Sequence, residues 1–187
     1  MNDIELLQGQ LDENLIQQLS QHIGAESTEQ TEAAASGIIS TLVAGLNKNA
    51  ATPDGANALV SAIDRDHDGS ILEDVAGFLL GSRETSNSST LNGAGILQHI
   101  LGGKQSNTQD MLGKATGLDT AQIGKLMIAL APMVLAALGK ARKQEAVSSE
   151  NIGDLLSGSV KSQVNQQQEM GLLQRFLDAD GDGSVMD

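Results

Sequence analysis

The 187-residue chain has no cysteine, no tryptophan and no tyrosine, and only two phenylalanines and two prolines. The lack of cysteine excludes a disulfide scaffold, a thiolate zinc site and a cysteine nucleophile. Basic residues are also scarce: 11 Lys and Arg stand against 24 Asp and Glu, for a formal charge of −13. A phosphate backbone needs clustered cations, so nucleic acid is not an expected partner. Long hydrophobic runs are missing too. The longest uncharged apolar stretch, 126–139 between Lys125 and Lys140, has 14 residues, whereas a bilayer span takes about 20. It reads as a buried core helix, and no transmembrane segment is expected. The first residues, MNDIELLQGQLDENL, bring acids and glutamines where a signal peptide has a basic start and an apolar stretch, which argues against direct Sec-type export. The cytoplasm is the default compartment.

What is present is helical periodicity. Ile4, Leu7, Leu11, Leu15, Leu19 and Ile23 recur every three or four residues behind an Asn2/Glu5 capping box, predicting a first helix over about 3–23. Ser27 with Gln30 caps a second, carried by Ala34, Ile38, Ile39, Leu42, Val43 and Leu46. Thr52 followed by Pro53 has the form of an N-cap with proline at the first helical position, opening a third, short helix that stops at Asp64. Residues 81–92, GSRETSNSSTLN, carry almost no apolar side chains and read as a linker. Further helical patterns follow at 96–101, at 108–116 behind a Ser106/Gln109 cap, and at 120–142, 149–156 and 171–177. Pro132 lies inside the longest of them and predicts a kink near 128–132. No strand pattern competes, so the expected fold is all-α, a multi-helix bundle.

The two halves also resemble each other. LLQ at 6–8 recurs as ILQ at 96–98, and LVAGLNK at 42–48 recurs as VLAALGK at 134–140, in the same order and at offsets of 90 and 92. Each half then ends in the same acidic loop. The reading is a degenerate tandem duplication: an N-terminal helical repeat over 1–80, the linker, and a C-terminal repeat over 93–187.

The first loop starts Asp64-Arg65-Asp66-His67-Asp68-Gly69-Ser70-Ile71 and continues through Leu72, Glu73 and Asp74; the second is Asp178-Ala179-Asp180-Gly181-Asp182-Gly183-Ser184-Val185-Met186-Asp187. Calcium takes six to eight oxygen ligands, and carboxylates at loop positions one, three and five converge when glycine at position six lets the chain turn tightly. Position seven, Ser70 or Ser184, offers its backbone carbonyl, and position eight, Ile71 or Val185, anchors the loop on the core. These are the opening eight positions of an EF-hand-like loop. Position twelve, a bidentate Glu in that loop, is Val75 here. Asp74, or Glu73 beside it, could close the shell from the first turn of an early-starting helix, and Asp74 is preferred. In the second loop Asp187 is the counterpart of Glu73, and Asp74 has no counterpart. The first loop is thus expected to hold one calcium ion, and the second is a further, weaker candidate.

The competing explanation is that DxDxDG supplies Asx-turns and caps between helices. Against it, the motif occurs twice, each time behind an amphipathic helix and followed by Ser and a β-branched residue. Nine of the 24 acids fall within these two loops, a crowding of like charge that disfavours the compact state until a cation neutralises it. Without the closing Glu, affinities on the order of 10⁻⁵ to 10⁻³ M are expected, and such sites fill where calcium is abundant, in a periplasmic or surface setting reached by another export route.

The layout of LLxxxL near the start, GGK at 102–104, LAPMVLAALGK at 130–140, LLSG at 155–158 and the closing FLDADGDGSVMD resembles the bacterial YidB-like family of uncharacterised proteins. The resemblance covers most of the chain, best over about 94–187. It implies an all-helical fold, one sometimes described as homeodomain-like in a relative, and brings no activity, substrate or reaction with it; fold does not settle function.

Catalytic constellations are not found. His22, His67 and His99 are far apart and form no HExxH pair, GGK at 102–104 lacks the rest of a phosphate loop, and GxSxG is absent. Lys140, Arg142 and Lys143 read as cations favoured at a helix C-terminus. The expected function is therefore non-enzymatic: a calcium-binding helical protein whose ions pin the joints between helices. A sensor that opens a methionine-lined groove is a variant of it, on the strength of the six methionines. The alternative is a metal-independent helical module that docks a protein partner or a second copy of itself.

Overall fold

The computed structural model describes Leu11, residues 13–66, Gly77 and residues 92–145, 151–154 and 156–157. Six α-helices are placed among them: α1 (Glu13–Ile23), α2 (Thr28–Asn49), α3 (Pro53–Asp66), α4 (Gly93–Leu101), α5 (Gln105–Thr116) and α6 (Thr120–Glu145), with a 3₁₀ turn at Gly102–Lys104 between α4 and α5. No strand occurs among the described residues, and the fold is all-α.

The two longest helices organise the rest. α2 and α6 pack on each other most extensively, and each also touches α1, α3, α4 and α5. The cause lies in the sequence of α6. Every residue from 129 to 139 is buried, because this stretch has no polar side chain on any face, and a helix apolar all round must be enclosed. By length and composition Thr120–Gln144 could cross a membrane, but 78% of its most apolar window is buried inside the protein. The apolar stretch read as a core helix is one. A single hydrophobic cluster runs from Leu15 through Ile38, Leu42 and Ile63 to Leu97, Leu126, Leu130, Ile152 and Leu156, so residues from before and after the 81–92 segment share one core. Met127 and Met133 belong to it, 0% and 2% exposed.

Local signals set the helix ends. Gly24, at φ 71°, terminates α1 in the left-handed conformation, with Ala25 N–H donating to Ser20 O at 2.9 Å and Gly24 N–H to Gln21 O at 3.3 Å, a Schellman motif. Ser27 caps α2 by accepting from Gln30 N–H at 3.4 Å, as expected. Thr52 Oγ1 accepts from Gly55 N–H at 3.2 Å, so the Thr52-Pro53 start of α3 stands. The third helix runs two residues further than expected, to Asp66. Asn92 caps α4 through Gly95 N–H at 2.9 Å. The Ser106/Gln109 cap does not form: α5 begins at Gln105, straight out of the 3₁₀ turn and without a side-chain cap, since the chain is already helical when it reaches Ser106. The start of α6 has the fullest cap. Asp119 Oδ1 accepts from Gln122 N–H at 2.7 Å while Asp119 N–H donates to Gln122 Oε1 at 3.1 Å, a reciprocal box. Gln122 Nε2 also donates to Gly24 O at 2.9 Å, joining α6 to the α1–α2 turn.

Pro132 sits inside α6 without ending it. Having no N–H, it cannot bond the carbonyl of Ile128 four residues earlier. That carbonyl lies against Gly93, the first residue of α4, so closely that a Cβ at Gly93 would collide with it. The positive end of the α4 dipole is at the same place and favours the carbonyl oxygen there.

Candidate functional site

The last turn of α3 carries the start of the first acidic loop. Ile63 is 1% exposed and packed in the core, and Asp64, the next residue, projects outward. Helical backbone continues through Asp66, so loop positions one and three both lie on the outgoing turn of a helix whose apolar side, Leu59 and Ile63, is anchored. An acid is unfavourable there, because the free carbonyls of a helix C-terminus already carry partial negative charge. Arg65 stands between the two acids in the sequence, and Asp64 has a further cation beside it.

The protein supplies one from its own chain. Arg142, near the end of α6, donates from Nη1 to Asp64 Oδ1 in an ion pair that spans 78 positions of sequence. The Arg142 side chain is 20% exposed and that of Asp64 51%. The guanidinium is thus held against the protein surface, and the carboxylate stays half open to water. By its position alone Arg142 reads only as a C-terminal helix cation; the partner comes from the packing of α3 along α6.

Asp68, Ser70, Glu73, Asp74, Asp178, Asp180, Asp182, Ser184 and Asp187 lie outside the described residues, as do His67, Ile71 and Val185. So does the Asn2/Glu5 box. Among the described residues no three His, Cys, Asp or Glu side chains come together. His22 and His99 are exposed on different helices, and the backbone carbonyl of His99 accepts from Asn49 Nδ2 at 3.3 Å. Gly102, at φ 54°, opens the 3₁₀ turn of the GGK sequence, and Lys104 is exposed at its end. Ile128 is the one large hydrophobic side chain left exposed among the described residues.

One carboxylate elsewhere is perturbed. Glu29, in the first turn of α2, is held below the ordinary glutamate range by the hydroxyl of Ser27 first and by its own backbone N–H second. The Ser27 Oγ–Glu29 Oε2 distance is 2.6 Å. This is a cap interaction on an exposed helix start, not a reactive centre.

The sequence model of a family described as "Bacterial protein of unknown function (DUF937)" matches residues 5–141. The chain belongs to this family. The DUF937 match takes in the first acidic loop and all but the last turn of α6, stopping one residue before Arg142; the second acidic loop lies beyond it. No curated protein and no solved structure matches the chain.

Proposed function

We propose that this DUF937 protein is a non-enzymatic calcium-binding helical protein, with one ion held by the first loop through Asp64, Asp66, Asp68, the Ser70 carbonyl and Asp74 or Glu73. The observation that carries the reading is the placement of Asp64. It stands on the outgoing turn of α3, directly after the buried Ile63, so the first carboxylate of DxDxDG is presented from a rigid helix end and not from a free chain. The donor set is all oxygen, which suits a hard divalent cation and not a soft one. A cation bound there offsets both the helix-end charge and the crowding of acids, so its role is structural, at the joint after α3. The second loop, Asp178 to Asp187, repeats the motif and is the second, weaker site.

Duplication supports the same reading. The matched LVAGLNK and VLAALGK segments occupy the C-terminal parts of the two longest helices, α2 and α6, and each half continues into an acidic loop. The YidB-like likeness adds no activity. A metal-independent interaction module has less behind it, since Ile128 alone offers a large exposed apolar side chain among the described residues.

Thermal unfolding tests the proposal. Calcium added to chelator-stripped protein raises Tm in proportion to the logarithm of its concentration above Kd, and chelator reverses the rise. A Tm indifferent to calcium and chelator leaves the interaction module as the better reading.

A further inference from the structure

We infer that residues 151–157 form a latch: a short helix seated by Ile152 and Leu156 at the end of α2, which opens and closes as a unit while the six-helix bundle stays folded. Opening uncovers apolar surface of the bundle that the closed form hides. The inference is independent of the calcium reading.

Three observations carry it. First, the segment is anchored on one face. Ile152 and Leu156, four residues apart and so on the same side of a helix, are 0% and 1% exposed, whereas Asn151 and Asp154 are exposed. Residues 152–154 and 156–157 are helical, and a helix this short is unstable in water on its own, so it exists by being docked. Second, the seat is at the end of α2. Ser157 Oγ donates to Asn47 Oδ1 at 3.0 Å across 110 positions of sequence, and among the described residues this is the one side-chain hydrogen bond between the segment and the helices. Third, Gly153 weakens the latch without being required by its packing. A Cβ there would stand 3.7 Å from the carbonyl of Ala50, the C-cap of α2, which is ordinary contact, and Gly153 is not among the glycines of positive φ. Alanine would fit, yet the residue present is the one with the most backbone freedom to lose on forming a helix.

The balance of these terms sets the behaviour. Opening exposes two aliphatic side chains and gives up one hydrogen bond, while the segment regains its conformational freedom. A unit with so few anchors opens at a free energy below that of global unfolding. The bundle does not depend on it: among the described residues every other buried member of the core cluster comes from 15–138, and α2 and α6 pack directly on each other. The family match likewise takes in all of α2 and stops at 141, so the seat lies inside it and the latch outside. In the open form the surface that Ile152 and Leu156 cover beside Ala50 faces water, and the return of the chain's own 151–157 is what covers it again.

The test is native-state hydrogen exchange by NMR on the full chain, at urea concentrations below the unfolding transition, in wild type, Gly153→Ala and an Ile152→Ser, Leu156→Ser double variant. In the wild type the amides of Leu156 and Ser157 are protected, but at least about tenfold less than those of Leu42 in α2 and Leu130 in α6, and their exchange depends little on urea because the opening exposes little surface. Gly153→Ala slows exchange at Leu156 and Ser157 by about twofold to fivefold and leaves Leu42 and Leu130 unchanged. The double variant loses protection at Ser157 and keeps it at Leu42 and Leu130. Wild-type Leu156 and Ser157 amides that match Leu42 and Leu130 in protection and urea dependence, or a double variant that loses protection throughout, overturn the latch and make 151–157 part of one cooperative core. Wild-type amides with no protection at all overturn the seat, and exchange at Leu156 and Ser157 that Gly153→Ala leaves unmoved or speeds overturns the role of Gly153 in keeping the latch weak.

Discussion

The guanidinium of Arg142 on α6 and the carboxylate of Asp64 on α3 form an ion pair across the surface of the bundle. It joins the end of one helix to the end of another at the point where the first acidic loop starts. Because Asp64 is half exposed, its stabilising effect is small: a double-mutant cycle of Asp64→Asn with Arg142→Gln gives a coupling of roughly 0.2–1 kcal/mol in urea denaturation. The coupling shrinks as salt is raised, since exposed charges are screened. A salt-independent coupling above that range would contradict the exposed geometry.

Gly93 marks the tightest point between α4 and α6. A Cβ there meets the Ile128 carbonyl, and this is backbone, which cannot rotate aside. Gly93→Ala therefore destabilises by about 1–3 kcal/mol through overpacking. Gly103→Ala has open space around it and stays within about 0.5 kcal/mol of wild type. Urea midpoints of the two variants decide the matter; equal midpoints would refute the close approach.

Gln122 performs two tasks, closing the cap with Asp119 and donating to Gly24 O. Gln122→Ala removes its side-chain bonds to Asp119 N–H and Gly24 O, keeps its backbone N–H on Asp119 Oδ1, and costs about 1–2 kcal/mol. Asp119→Ala removes only the cap side and costs about 1 kcal/mol. The ordering Gln122→Ala above Asp119→Ala is what chemical denaturation should return.

The start of α2 carries a pH dependence. Glu29 is held at a lowered pKa, chiefly by Ser27, so its contribution is complete above the usual glutamate pKa and disappears as pH falls through the depressed value. Ser27→Ala loses both the cap and this effect. The Tm difference between wild type and Ser27→Ala is thus larger at neutral pH and narrows on acidification, in melts recorded from pH 7 down to pH 3. A gap that widens toward acid would reverse the assignment.

Much of the fold was legible because its signals are local. The Leu-Ala-Met stretch of α6 forces enclosure, and Ser27 and Thr52-Pro53 mark helix starts by their own chemistry. The Asp119/Gln122 box was equally readable as an Asp-x-x-Gln sequence before an apolar run. Other features depend on approach. The helix runs on through Pro132, and the Ile128 carbonyl, to which Pro132 has no N–H to offer, meets Gly93 from 35 positions earlier. At the candidate site, the acidic motif declares itself in sequence, but nothing local ties Asp64 to Arg142. That pairing arises only when α3 and α6 pack.

The central claim is that the first loop holds calcium through Asp64 and Asp66, and calorimetric titration of chelator-stripped protein tests it most directly. The account predicts saturable heat with calcium, little with magnesium, and loss of the first-loop site in the Asp64→Ala, Asp66→Ala variant. A calcium titration indistinguishable from the magnesium control up to millimolar concentration, or one unchanged in that variant, would contradict it.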